Sequence, residues 1–104
     1  MKTCNTDVDG EYRVIRLAGE VDMSWSQQVR AAVLDALKRS DKVAVHLAAV
    51  SYIDSSGIAA LVEGFQQARG RGQVFVLLEA SDAVKAVLRL ARLDRVFTLR
   101  EQLA

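Results

Sequence analysis

The sequence predicts an α/β domain built around a largely parallel sheet. Two short and nearly continuous apolar runs, 42–47 and 73–78, are typical of strands buried on both faces. Amphipathic stretches with helical spacing alternate with these runs, and the links between them are short. Strands that alternate with helices over short links usually pair in parallel. We therefore expect the order β-β-α-β-α-β-α-β.

Length, charge and cysteine content restrict the class of protein. The chain has 104 residues, enough for one hydrophobic core, so residues 1–104 are expected to form a single domain. A net charge of +1 gives no electrostatic basis for binding nucleic acid or an anionic membrane surface. The single cysteine, Cys4, excludes an internal disulfide, argues against a cysteine-based zinc site and fits a reducing compartment. No apolar run is long enough to span a membrane, so we expect a cytoplasmic protein. We also expect the protein to have no metal and no cofactor.

The N-terminal part of the chain predicts a β-hairpin at one edge of the sheet. Residues 3–9 are weakly patterned and suit an edge strand, and Asp9-Gly10 is a hairpin signal. Residues 12–18 form the second strand, in which arginines between apolar positions indicate that one face or one end meets water. We expect a turn at 19–22 to close this strand.

A first helix is predicted directly after that turn. Ser24, with Gln27 three residues later, matches a capping box, so we expect the helix to begin at Ser24 and to end at Ser40-Asp41. Trp25 lies in its first turn, on the apolar stripe. The simpler interpretation of Trp25 is a core residue, and if it is partly exposed it becomes a candidate anchor for a partner protein.

The second half of the chain repeats the strand–helix unit. The strands 42–47 and 73–78 each precede an amphipathic stretch, and Gly70-Arg71-Gly72 is a cap and turn signal. Basic residues on the third helix are interpreted as a solvated face, since acidic residues lie nearby. The remaining predicted elements are a helix from the serine junction to about Arg69, a helix capped by Ser81 or Asp82, a strand at 95–99 and a helical tail at 100–104.

A serine-rich junction joins the strand 42–47 to the second helix. Asp54-Ser55-Ser56-Gly57 places an acid, two hydroxyls and a glycine where the helix begins. Such side chains cap open N–H groups, and the same end of a helix suits an anion such as a phosphate. Two capping serines, or one capping serine and one displayed to another molecule, are equally well supported by residue type. Because parallel strands end at one edge, we expect Asp22 to approach Ser55.

The residues at both strand ends carry a family resemblance. Leu17 to Asp22 before a helix, and Val50 to Ile58 at the next helix, resemble a STAS domain and, more narrowly, the bacterial anti-sigma factor antagonists. The resemblance covers almost the whole chain, and Asp-Ser-Ser-Gly is its most specific part. It implies the STAS fold, a mixed, largely parallel sheet of four to five strands with helices packed mainly on one side.

The resemblance also implies a phosphorylation switch. In that family the serine directly after the aspartate, here Ser55, is phosphorylated by a serine-protein kinase that is itself the anti-sigma factor. The unmodified domain binds this kinase and frees the sigma factor, and a phosphatase later removes the phosphate. The residues that match the family's motif and are expected to bind the partner are Asp22, Asp54, Ser56, Gly57 and Ile58. Trp25 is added to them as the candidate anchor from its position beside Asp22.

Two other functions compete with the phosphorylation switch, and one of them stays open. STAS domains also serve as cytosolic subunits of ABC-type lipid transporters (MlaB-like), where they bind the ATPase without phosphorylation. The family often has an acidic or amide residue where this chain has His46, and polar residues at Ala48-Ala49, and this departure favours keeping the transporter alternative. A hydrolase with Ser55 as nucleophile and His46 as base lacks the Gly-x-Ser-x-Gly elbow, so we expect no catalytic residue and no enzyme.

Overall fold

Five strands and three helices follow one another in the predicted order, in a computed structural model that describes residues 2–103. They are β1 Thr3–Asp9, β2 Tyr12–Val21, α1 Ser26–Arg39, β3 Lys42–Ile53, α2 Ser55–Arg71, β4 Val74–Leu78, α3 Asp82–Leu90 and β5 Thr98–Arg100. The strands form one sheet in the order β1-β2-β3-β4-β5. The β1–β2 pair is an antiparallel hairpin and the other pairs are parallel, which confirms the mixed, largely parallel sheet.

All three helices pack on the same face of the sheet. The larger buried cluster joins residues of every helix, among them Val33, Leu61 and Leu88, to inward-facing strand residues such as Val45. The smaller cluster on the opposite face contains no helical residue among those described. Its members are Val14, Ala44, Val76 and Leu78, with Tyr12 and Leu103 packed against them. The prediction that the helices lie mainly on one side is therefore confirmed.

Strands β2 and β3 run further than the sequence predicts. They end at Val21 and Ile53 instead of at residues 18 and 47, so residues 19–21 belong to a strand and not to a turn. Two register shifts each add one residue to β3, between the pairs Arg16–His46 and Ala18–Ala49 and between Gly19–Val50 and Glu20–Tyr52. Such bulges break the two-residue period, and the buried side chains of this half of β3 recur at every third residue.

The loop between β2 and α1 is organised by Asp22. Helix α1 begins at Ser26, and its N-cap position, Trp25, makes no side-chain capping bond, so the predicted capping box at Ser24 is wrong. The carbonyl oxygen of Asp22 accepts the N–H groups of Trp25 and Ser26 at 3.0 and 2.9 Å. Ser24 instead donates its hydroxyl to Asp22 Oδ1 at 2.6 Å.

The other two helices have conventional ends. Helix α2 runs to Arg71, two residues beyond the prediction, and closes at Gly72, whose φ of 69° lies in the left-handed region that favours glycine. Helix α3 is capped by Ser81, which accepts from the N–H of Val84 at 3.3 Å, as predicted. No helix within residues 2–103 is both long enough and apolar enough to cross a bilayer.

The C-terminal segment differs from its prediction. The N–H groups of Val96 and Phe97 both donate to the carbonyl oxygen of Leu93, so the chain is still turning where the sequence predicts a strand. Strand β5 therefore begins only at Thr98 and includes Arg100. Residues 101–103 are not helical, which contradicts the predicted tail, and Ala104 lies outside the described residues.

Candidate functional site

The serine junction forms the N-terminus of α2. Asp54 is the N-cap residue, with extended backbone, and Ser55 is the first helical residue. The Asp54 Oδ1 atom accepts the main-chain N–H of Ser56 at 2.9 Å and that of Gly57 at 3.2 Å. The aspartate thereby satisfies two of the N–H groups that the first turn of a helix leaves open.

The two serines of the junction differ in their surroundings. The Ser56 hydroxyl donates to Asp54 Oδ1 at 2.6 Å and is partly buried. Ser55 is exposed, and within residues 2–103 its hydroxyl makes no hydrogen bond. One serine therefore belongs to the cap, and the other is displayed at the start of the helix.

The ends of β2 and β3 meet at this junction. Val21 pairs with Ile53 in parallel register, and the N–H of Asp54 donates to the carbonyl oxygen of Val21 at 3.2 Å. The N–H of Met23 also lies near enough to the Asp54 carboxylate to favour its charged form. The loop after β2 and the start of α2 thus lie at the same end of the sheet, as the topology predicts.

Two carboxylates give this end of the sheet negative charge. The hydroxyl of Ser56, followed by the main-chain donors of Gly57, Ser56 and Met23, lowers the pKa of Asp54 below its ordinary value. The Ser24 hydroxyl, and then the Lys2 ammonium at 2.9 Å, lower the pKa of Asp22 in the same way. Both carboxylates are therefore ionised at neutral pH.

Three of the predicted partner-binding residues are buried. Trp25 is 6 % exposed and Ile58 is 7 % exposed, and both belong to the main core cluster. Gly57 is buried as well, and a Cβ there would lie 2.8 Å from the carbonyl oxygen of Val21. Each of the three side chains or positions is packed beneath the surface, so little of it is available for direct contact, and its part in partner binding stays a prediction. The Ser56 hydroxyl is already bonded to the capping Asp54.

The structure adds a surface residue that the sequence did not indicate. Met23 is 78 % exposed, and its N–H lies near the Asp54 carboxylate. Tyr52, at the same end of the sheet, is 50 % exposed opposite Glu20. No periodicity marks a loop methionine as exposed, so only the fold reveals it. We call Asp22, Met23, Asp54 and Ser55 the serine surface.

His46 lies away from the serine surface. Its Nε2 atom is 3.1 Å from Glu79 Oε2, and its neighbours in the sheet are Arg16 and Leu78. Seven positions of β3 separate it from Ile53, roughly 20 Å along a strand, so it is beyond hydrogen-bonding reach of Ser55. Among the described residues, no group of three or more His, Cys, Asp and Glu side chains could hold a metal ion.

Comparisons with known proteins agree with this architecture. A family model described as "Mlab, STAS domain" matches residues 4–101. An anti-sigma factor antagonist from Mycobacterium paratuberculosis has 21 % identity and a TM-score of 0.88, with 99 % of this chain and 88 % of that chain covered. Unphosphorylated SpoIIAA has 24 % identity and a TM-score of 0.78 (93 % and 87 % covered), and phosphorylated SpoIIAA from Bacillus has 23 % and 0.73 (93 % and 90 %). The chain belongs to the STAS domain family.

Proposed function

We propose that this chain is an anti-sigma factor antagonist that works as a phospho-switchable binding module in the cytoplasm. It binds an anti-sigma factor that is also a serine kinase while Ser55 is unmodified, and releases it once Ser55 is phosphorylated. A phosphatase returns the domain to its binding form. The observation that carries the proposal is the difference between the two serines, since Ser56 completes the cap and leaves Ser55 displayed.

The start of α2 is a favourable place for a phosphate group. Phosphorylation adds nearly two negative charges and three acceptor oxygens, and a helix N-terminus stabilises both. Because the Ser55 hydroxyl makes no hydrogen bond within the described part of the chain, its modification breaks no internal hydrogen bond. SpoIIAA is known in phosphorylated and unphosphorylated forms, and the present fold is similar to both. These points support a switch that leaves the domain folded.

The charges around Ser55 explain how the same phosphate could release a partner. Asp54 contributes a negative charge at this end of the sheet, and Asp22 contributes a second one that the Lys2 ammonium partly offsets. After phosphorylation, a partner surface that fits a neutral hydroxyl must bury a doubly charged group next to like charges. Burying an unpaired charge in an interface typically costs several kcal/mol, which is enough to reverse binding.

The proposal describes a binding module and not an enzyme. A serine nucleophile needs a base within hydrogen-bonding reach, and the one histidine is held by Glu79 on the open face of the sheet. The exposed Met23 beside Asp54 instead suits contact with an apolar depression of a partner protein.

A second function is favoured by the matching family model. Because that model is described as "Mlab, STAS domain", a STAS subunit that binds the ATPase of an ABC-type lipid transporter is the alternative. Such a subunit would use the same end of the sheet, and Ser55 would contact the ATPase without being modified.

Capture from the native cell tests the two functions against each other. Tagged wild type, Ser55→Ala and Ser55→Asp would serve as baits, with the proteins they retain identified by mass spectrometry. We expect wild type and Ser55→Ala to retain a histidine-kinase-like ATPase, and Ser55→Asp to lose it. Purified kinase and ATP should then modify residue 55 in wild type and in Ser56→Ala, but not in Ser55→Ala. Retention of an ABC ATPase, with no phosphorylation, contradicts the proposal and supports the alternative.

A further inference from the structure

A cleft opens at the outer edge of the sheet, beside the first two residues of β4, which do not pair with β5. Strand β5 pairs only with Val76, Leu77 and Leu78, so within residues 2–103 no strand lies beside Val74 and Phe75 on that edge. The cleft there has a volume of about 380 Å³. This volume lies within the range of sites that bind small molecules.

The walls of the cleft are apolar and its charged groups have one sign. Phe65 from α2 and the free segment of β4 form the apolar part, and Arg69 and Arg100 are the charged residues among those that line it. No carboxylate is found in this described lining, and neither arginine forms a salt bridge with another residue of 2–103. Two guanidinium groups beside an apolar cleft match a ligand that has both an apolar body and an anionic group.

Gln73, which also lines the cleft, is held in place by its side-chain amide. Its Nε2 donates to the carbonyl oxygens of Leu37 at 2.6 Å and Ser40 at 3.1 Å, and only the NH₂ end of the amide can do so. This fixes Oε1 on the other side, where it is buried and has no partner within the described chain. Gln73 is therefore held in one orientation beside the cleft, and its buried Oε1 is not available to a bound molecule.

The free edge is too short for a partner strand. Since β5 occupies the edge from Val76 onward, only Val74 and Phe75 are open, whereas strand addition uses several consecutive residues. We propose that the cleft binds a small amphipathic organic anion, with its apolar or aromatic part against Phe65 and Val74 and its carboxylate, sulfonate or phosphate group held by Arg69 and Arg100.

This site is separate from the serine surface. Arg69 lies fourteen positions after Ser55 on the same helix, about 20 Å away at the rise of an α-helix. Loss of ligand binding at the cleft and loss of partner binding are therefore distinguishable, since a substitution in the cleft leaves the serine surface intact.

Two fluorescent probes that differ in one charged group provide the test. 1-Anilinonaphthalene-8-sulfonate carries a sulfonate, and N-phenyl-1-naphthylamine has the same aromatic body without it. We expect the sulfonate probe to bind with one-to-one stoichiometry and to shift amide NMR signals of residues 74–76 and 98–100. The neutral probe should bind about tenfold more weakly, because it forms no charge-assisted contact.

The arginines are tested by a matched pair of double variants. Arg69→Gln/Arg100→Gln should lower the affinity for the sulfonate probe about tenfold and leave the affinity for the neutral probe unchanged. Arg89→Gln/Arg92→Gln, which removes two exposed arginines outside the cleft, should change neither. Equal affinity of the sulfonate probe for both double variants, equal affinity of the two probes, or NMR shifts outside the cleft would overturn the proposal.

Discussion

The main-chain N–H of Asp54 donates to the carbonyl oxygen of Val21 at 3.2 Å and ties the start of α2 to the end of β2. The same two strand ends pair in register through Val21 and Ile53. Gly57 packs against both of these residues. The position of Ser55 is therefore set by two strands and not by a loose turn, which agrees with its proposed recognition by a partner protein.

Two glycines of α2 should respond in opposite ways to alanine. In Gly57→Ala the new Cβ meets Ile53 Cγ1 at 2.7 Å and Val21 at 2.8 Å, so we expect a loss of about 1–3 kcal/mol in the free energy of unfolding. Gly70→Ala meets nothing within 4 Å and should gain roughly 0.5–1 kcal/mol from its helical preference. Urea denaturation measures both, and equal effects would contradict the packing described for Gly57.

The two serines of the junction should differ in their importance for stability. Ser56→Ala removes the hydroxyl that donates to Asp54, and we expect it to lower the free energy of unfolding by about 1 kcal/mol. Ser55→Ala removes an exposed hydroxyl, so its effect should stay within about 0.5 kcal/mol. Denaturant titrations of the two variants side by side make the comparison. A larger loss for Ser55→Ala would mean that this hydroxyl supports the fold.

Stability should fall in acid partly through Asp54. Its pKa in the folded state lies below the ordinary value of 3.8, so the unfolded chain takes up a proton first as the pH decreases. The contribution of Asp54 is complete above about pH 4 to 5 and is lost as the pH falls through the lowered pKa. Asp54→Asn should therefore have a flatter decrease of unfolding free energy below about pH 5 than Asp41→Asn, an exposed control. Identical pH profiles for the two variants would contradict the role given to the Asp54 carboxylate.

Met23 should contribute to partner binding without supporting the fold. The side chain is 78 % exposed, so Met23→Glu should keep the melting temperature of wild type. It places another negative charge on the serine surface, and we expect at least about tenfold weaker binding of the partner. Leu90→Glu, a change of an 87 % exposed side chain on α3, is the matched control. If calorimetric titration finds that both variants bind the partner with the affinity of wild type, Met23 does not contribute to the interface.

The order and pairing of the elements follow from periodicity, but several boundaries do not. Buried strands and amphipathic helices were predictable because their patterns continue over many residues. The second half of β3 was not predictable, since two bulges change the spacing of its buried residues from two to three. The start of α1 was mistaken because Ser24 and Asp22 bond each other, which leaves the expected capping box unformed.

The candidate site also has some features that the sequence predicts and others that it does not. The cap at Asp54 and the meeting of the two strand ends follow from residue types and parallel topology. Burial of Trp25 and Ile58, and exposure of Met23, depend on how the loop after β2 lies over the core, which no local pattern specifies. Which of the two adjacent serines donates its hydroxyl to the capping Asp54 depends equally on a hydroxyl orientation that the sequence leaves open.

The affinity of the captured kinase for the phosphorylated and unphosphorylated domain tests the central claim most directly. Isothermal titration calorimetry would compare wild type, the same protein phosphorylated at residue 55, and Ser55→Asp, with circular dichroism to verify that all three are folded. We predict that phosphorylation weakens binding by about a hundredfold or more while the domain stays folded. Equal affinity of the two forms would contradict the account.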